Sequence, residues 1–503
     1  MGFIKKDGFS LWIAAAIPFF GLILLVLFGT SAWDTDYFEY IGWNVSQGRR
    51  LYVDIWDCKG PVLYLIYAVG QWLWPNGHIA GQIVMFFFWE LSVWLFYRLF
   101  KKEALAAWAG RGALGFVFLA MSLCYFVRIG AQETLGVFFA LLSLNLLAKS
   151  VRWWRFLLLG GIVGLALMTK ATLVAFAGAL LVEWTVQFLR TKDFHEFVIR
   201  LGFSALGFTI SIVTIVLLTC PTAVWEMFDA SFLYNALERN NVCPESWLIL
   251  WLIRARDILC GRWDWFVNEG WYLPLFAWLV FICLRYRPSK SMGFPSSCYL
   301  KVWIVLEVVL NLNGKKFHDH YCVVLCAPLA MMLMTSNMWR WNSRIRHFTI
   351  FVCIVGGLLA IEKSAHFHLS YLRRQAVGRE VEKRVSKALR RSILAHERVA
   401  TCGRGMLPRL LLRVRALNRN RYCSWGYWVY RCSAERRIEI LQDFLAACQA
   451  SDNQWLFSEV PIDKLISEYG SECPELKASL AEYQFAYRLD ETGVVIYRRE
   501  GNK

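Results

Sequence analysis

Residues 31–67, SAWDTDYFEYIGWNVSQGRRLYVDIWDCKGPVLYLIY, bring Asp34, Asp36, Glu39, Asp54 and Asp57 together with Arg49, Arg50 and Lys59 among many aromatic side chains. Carboxylates can move protons and cations can hold an anionic group, so this mixture is suited to group-transfer chemistry. Further charged residues stand at the ends of apolar runs: Arg128 and Glu133, Lys170, and then Lys315, Lys316, His318, Asp319 and His320. Charges at membrane depth are costly and usually face a cavity or a partner. Their concentration on one side of the chain's apolar segments points to a single polar cavity at the outer face.

Each residue also has a plainer reading. Asp36, Glu39 and Asp54 can be solvated loop carboxylates, while Arg128 and Lys170 can be cations that reach the membrane interface along their own stems. Lys315 and Lys316 suit a charged surface, and Glu90, Glu183 and Glu307 suit hydrogen bonding between helices. Asp57, His318, Asp319 and His320 offer oxygen and imidazole ligands, but the chain has no H-E-x-x-H or comparable spacing. No cofactor is firmly expected, and a divalent metal held by Asp57 and His320 stays a candidate.

The elements that must position these residues follow from composition. Of 503 residues, 57% are hydrophobic and only 18% charged, and the mean hydropathy is +0.40. That balance indicates an α-helical polytopic membrane protein. The window LWIAAAIPFFGLILLVLFGT from Leu11 has the roughly 20 residues that cross about 30 Å of hydrocarbon. It is too long for a signal-peptide core and no A-x-A site follows, so it is expected to remain as a helix. Membrane helices are expected near 10–30, 78–100, 110–127, 132–149, 156–170, 172–190, 201–219, 271–286, 298–312, 321–335 and 345–362, about 11 in all. PVLYLIYAVGQWLW at 61–74 is too short to span and is expected to be interfacial or re-entrant, with Trp72 and Trp74 at headgroup depth. The Gly160-x-x-x-Gly164 spacing is expected to mark close helix packing.

Basic residues fall on alternate loops, among them Lys5 and Lys6, Lys101 and Lys102, Arg152 and Arg155, and Arg285 and Arg287. The positive-inside rule then puts the N-terminus in the cytoplasm. Residues 31–77, 220–270 and everything after 362 lie outside. The net charge of +17 is scattered among apolar spans rather than gathered on one element, which fits lipid topology and no nucleic-acid partner. The 15 cysteines show no C-x-x-C pair and no zinc spacing, so they define no disulfide framework. The inner loops contain no Gly-rich phosphate-binding motif. After Lys363 the pattern changes: an Arg- and Lys-rich stretch with helical spacing runs to Arg415. ERVATCG within that stretch, and QWLFSEV and FAYRLDETGVVIYRRE beyond it, are strand-like segments, with AERRIEILQDFLAACQA and PIDKLISEYG as helical ones. CGRGM is best read as a strand-to-helix turn. The expected division is therefore a transmembrane module at 1–362 and a small C-terminal extracytoplasmic α/β domain at 363–503.

Asp34 with Tyr37-Phe38, Gly42, Gln47-Gly48, Tyr52, Asp54 and Asp57-Cys58-Lys59-Gly60-Pro61 form a pattern that resembles the integral-membrane GT-C glycosyltransferases. The similar group is the bacterial family-39-like set related to protein mannosyltransferases and the lipid A aminoarabinose transferase. Glu133 matches an acidic position opening the fourth span, Lys170 a lysine closing the fifth, and His320-Tyr321 the start of a late helix. The resemblance implies a polyprenyl-phosphate-linked sugar donor in the lipid bilayer and a cell-envelope acceptor. It implies hexosyl or pentosyl transfer with inversion at the outer face of the inner or plasma membrane. It gives Asp34, or alternatively Asp36, the role of general base, and Glu133 that of a second carboxylate orienting acceptor or sugar. Lys59, supported by Arg128 and Lys170, would hold the phosphate on the donor side, to which His320 and Tyr321 also belong. Asp57 would position Lys59 or help bind a metal. Tyr37, Tyr52 and Trp56 would either stack on sugar or anchor at the interface. Two places depart from the pattern: this chain has Asp34-Thr35-Asp36 where relatives often have Asp-Glu or Asp-Ser, and Cys58 stands where they often have His. A lipid-linked glycan flippase or exporter, or a membrane scaffold, is the alternative. The absence of an internal repeat and the one-sided polar residues favour the enzyme.

Overall fold

A computed structural model describes residues 33–75, 77–107, 132–147, 152–238, 296–313, 322–335, 343–344, 386–387, 389–403, 407–423, 432–489 and 493–500. The helices expected near 10–30, 110–127, 271–286 and 345–362 lie outside the described residues, as do Arg128, Lys315, Lys316, His318, Asp319, His320, Tyr321 and Gly405. The described helices are α1 (Trp33–Ser46), α2 (Pro61–Leu73), α3 (Ala80–Ala107), α4 (Gln132–Leu147), α5 (Trp153–Leu167), α6 (Ala175–Thr191), α7 (Phe194–Thr219) and α8 (Val224–Phe228). A π-helical segment, Asp229–Glu238, follows α8, and then come α9 (Ser297–Asn313) and α10 (Cys322–Thr335). Among the described residues, Ala171–Thr191 and Phe194–Thr219 are long and apolar enough to cross a membrane by length and composition.

The chain forms two compact units. One comprises Met1–Leu24, Met85–Thr214 and Glu245–His368; the other comprises Leu25–Val84, Ile215–Pro244 and Leu369–Lys503. Residues 25–84 and 215–244 thus group with the tail, not with the apolar helices that flank them in sequence, and the division differs from a single cut after 362.

In the first unit, α9 packs on α6 and α10, and α4 packs on α5 and α10. A side chain on Gly160 or Gly164 would collide with the Ser204 carbonyl or the Ser211 hydroxyl, and one on Gly207 with the Leu157 carbonyl. The small-residue spacing therefore lets the backbones of α5 and α7 touch, as expected from the sequence.

In the second unit, α1 is buried on every side from Thr35 to Asn44. A helix enclosed all round is a core element. Asp34 and Asp36 sit in its first turn, where the helix dipole favours negative charge. A Cβ on Gly42 would come within 2.5 Å of Tyr67 Cβ, so glycine is what brings α1 against α2. Gly60 is the N-cap of α2 and Pro61 its first residue, the position where proline's missing N–H and fixed φ cost nothing. The helix is buried over its first half and exposes Trp72 and Trp74 at its end.

The tail contains β1 (Arg398–Cys402), α11 (Leu407–Val414), β2 (Leu417–Asn418), α12 (Ala434–Gln449), β3 (Trp455–Ser458), α13 (Ile462–Tyr469), α14 (Glu475–Ala481), β4 (Tyr483–Leu489) and β5 (Val494–Arg499). The sheet order is β2-β1-β3-β5-β4. β2, β1 and β3 run parallel and β5 is antiparallel to both neighbours. Parallel neighbours need crossover connections, and α11 and α12 provide them. The sheet edge meets α1 directly. Tyr40 Oη accepts the Asn418 N–H at 2.7 Å, its hydroxyl lies 3.1 Å from the Ala416 carbonyl, and Trp43 stacks on His396 at 5.7 Å between ring centroids.

Candidate active site

Lys59 is built into the turn that launches α2. Its main-chain carbonyl accepts the Tyr52 hydroxyl at 2.7 Å, and its ammonium lies 3.3 Å from the Cys58 sulfur. The Cys58 carbonyl accepts Asn235 Nδ2 at 2.7 Å. Tyr52 adopts φ 67°, a left-handed conformation that is strained for a bulky residue and is held because its side chain is fully enclosed. Asp57, 1% exposed, accepts a hydrogen bond from the Tyr64 hydroxyl. The Trp56 carbonyl accepts the Tyr37 hydroxyl at 2.8 Å. Two charged residues of the Asp-Cys-Lys motif are thereby fixed by aromatic hydroxyls on either side of it.

The carboxylates of α1 fall into different environments. Asp34 is exposed, Asp36 is 5% exposed and Glu39 is completely buried. Asp36 and Glu39 are therefore not solvated loop carboxylates, which corrects that reading. Glu39 Oε2 accepts Gln71 Nε2 at 3.0 Å and the Gly81 N–H at 3.1 Å, and Oε1 accepts the Gln82 N–H at 2.9 Å. It closes the N-terminus of α3, where the first N–H groups lack helical partners. Burial pushes its carboxyl up to about 8 against those donors. Asp54, half-buried, pairs with Arg50 at 3.1 Å.

Glu133 and Lys170 belong to the first unit. Glu133 opens α4 and Lys170 stands between α5 and the short turn before α6, and their side chains pair at 2.6 Å. Glu183, on α6, accepts Ser296 Oγ at 2.7 Å and Gln187 Nε2 at 3.0 Å, the hydrogen-bonding role that the sequence offered for it. Among the described residues no group of three or more His, Cys, Asp and Glu side chains is placed to hold a metal ion. Of the two candidate ligands, Asp57 is engaged by Tyr64 and His320 lies outside the described residues.

Tyr37, Tyr52 and Trp56 are 8%, 0% and 1% exposed. They are core side chains of the second unit rather than open sugar platforms or interfacial anchors. Trp56 packs with Tyr234 at 5.2 Å and Tyr422 at 5.1 Å between ring centroids. Sequence reasoning missed Tyr64, Gln71, Ser231, Asn235 and Asn418. None belongs to a motif; each is recognisable only from the partner it reaches.

No protein-family model matches the chain, and no curated protein matches its sequence. Among solved structures, the chain is similar to ArnT from Cupriavidus metallidurans bound to undecaprenyl phosphate. The TM-score is 0.59 at 12% identity, with 98% of this chain and 97% of that one covered. The apo state of the same ArnT matches with a TM-score of 0.53 at 13% identity, covering 97% of each chain. The likeness runs through nearly the full length of both chains, so the two share a fold.

Proposed function

We propose that this chain is a membrane glycosyltransferase of the GT-C type. It moves a sugar, hexosyl or pentosyl, from a polyprenyl-phosphate donor to a cell-envelope glycan, lipid or protein at the extracytoplasmic face. The observation that carries this reading is the full-length fold shared with an ArnT that binds undecaprenyl phosphate. The fixed Asp57-Cys58-Lys59 turn and the exposed Asp34 support it.

Transfer joins the acceptor hydroxyl oxygen to the sugar's anomeric carbon and breaks that carbon's bond to the phosphate oxygen. Asp34 takes the hydroxyl proton as attack begins, which a carboxylate can do when solvent and substrate reach it. Asp36 is the alternative base, but its burial argues for a supporting place in α1. The departing polyprenyl phosphate gains negative charge, and the Lys59 ammonium stabilises it; the resemblance gives Arg128 and Lys170 a supporting role in the same task. Asp57, fixed by Tyr64, holds the turn from which Lys59 projects. Glu133 orients sugar or acceptor and shares the Lys170 ammonium, so a donor phosphate near Lys170 would compete with that carboxylate. The resemblance also assigns His320 and Tyr321, which lie outside the described residues, to donor binding. A divalent metal, if bound, would add positive charge at the phosphate. Attack opposite the leaving phosphate inverts the anomeric configuration.

Mass spectrometry of envelope glycolipids and glycoproteins from cells with and without the gene tests the proposal. A sugar lost with the gene would identify donor and acceptor class; identical glycans in both cells would overturn the assignment.

A further inference from the structure

Lys59 is not fixed by its own loop alone. Tyr52 Oη donates to the Lys59 carbonyl, and Ser231 Oγ lies 3.2 Å from both that carbonyl and the Tyr52 hydroxyl. The single Ser231 proton can serve either oxygen. One helical turn on, Asn235 Nδ2 donates to the Cys58 carbonyl at 2.7 Å and to the Ser231 carbonyl at 3.0 Å. Consecutive carbonyls of the Cys58-Lys59 pair are thus gripped by one short segment, Asp229–Glu238, and that segment is π-helical. π-helical turns are rare, and they occur often at functional sites. The segment is itself tied down: Asp229 pairs with Arg436 of α12 at 2.7 Å, and Tyr234 packs edge-on against Trp56.

We propose that Ser231 and Asn235, with Tyr52, are positioning residues that fix the main chain beneath Lys59. The π-helical segment then sets where the Lys59 ammonium meets the donor phosphate. This rests on the glycosyltransferase reading for its functional consequence, though not for its geometry. Neither Ser231 nor Asn235 touches the phosphate in this scheme; each acts through the backbone that carries Lys59.

The test uses the full-length protein in lipid nanodiscs, with Lys59 acylation read by peptide mass spectrometry and undecaprenyl phosphate as the binding probe. The variants are Asn235→Asp, which keeps the size but loses the donor, Ser231→Ala, the pair combined, and Ser231→Thr as the conservative rescue. Tyr52→Phe removes one hydroxyl and leaves the ring in place, so it decides the matter if the double variant does not fold. The expected result is a Lys59 acylation rate changed about threefold or more and phosphate-lipid binding weakened about tenfold in the double variant, in keeping with two lost hydrogen bonds. Ser231→Thr should stay near wild type. Unchanged acylation and binding in both the double variant and Tyr52→Phe, while Lys59→Ala abolishes binding, would overturn the inference. If the wild-type protein binds no undecaprenyl phosphate, the functional reading falls by itself, and the acylation rates alone decide whether Lys59 is positioned this way.

Discussion

Lys170 and Glu133, 37 positions apart in sequence, meet as an ion pair at 2.6 Å with side-chain exposures of 17% and 2%. Two charges enclosed together tolerate each other far better than either tolerates isolation. Removing one partner of such a pair typically costs about 3 kcal/mol or more. Lys170→Met, which strands the more deeply buried carboxylate, should lower the melting temperature more than Glu133→Gln. The double variant should recover part of the loss. Equal and additive losses, measured by thermal unfolding in detergent, would show that the pair is not coupled.

Glu39 makes stability depend on pH. Burial raises its folded value from 4.5 to about 8, so the folded chain holds this proton more tightly than the unfolded chain does. Its stabilising contribution is complete below about 4.5 and is lost as pH rises to about 8. Over that window its stability falls by at most about 1.4 kcal/mol per pH unit. In Glu39→Gln the slope should flatten, because the amide carries no titrating proton. The same substitution should destabilise most at low pH, since its NH2 faces N–H donors that the carboxyl oxygens accept, and its deficit against wild type should shrink as pH rises toward about 8. Melting curves between pH 5 and 9, as a series at about one-unit steps, check both effects; a variant that keeps the wild-type slope would show that another group is responsible.

Trp56 separates packing from sugar contact. It is 1% exposed, and cutting a buried tryptophan to alanine commonly costs about 3–5 kcal/mol. Trp56→Ala should therefore lose much of the folded protein, and Trp56→Phe should lose stability and activity together. Were the indole a sugar platform, Trp56→Phe would lose transfer at an unchanged melting temperature.

Much of the helical layout was legible because long apolar runs leave few alternatives. The expected helices at 132–149, 172–190 and 298–312 recur as α4, α6 and α9. The strands around Val399, Leu456 and Val495 were visible through β-branched and aromatic alternation, whereas the two-residue β2 is too short to leave a pattern. The Lys-Gly-Pro motif disclosed its helix start, since glycine and proline act locally. What α1 packs against was hidden: the sequence shows that Tyr40 and Trp43 are aromatic, but not that Asn418 and His396 meet them. The same limit concealed Ser231 and Asn235, whose partners lie at Cys58 and Lys59. Local spacing carries no information about contacts made across so many residues.

The central claim is that Asp34 is the base of a transfer from a polyprenyl-phosphate sugar. Its most direct test is the fraction of envelope acceptor carrying the sugar, read by mass spectrometry in cells that express Asp34→Asn or Asp36→Asn protein at wild-type membrane levels. Losing a general base typically costs about a hundredfold or more in rate. Asp34→Asn should therefore leave the acceptor essentially unmodified, with Asp36→Asn reduced to a smaller degree. Full modification by both variants, each normally inserted, would contradict the account.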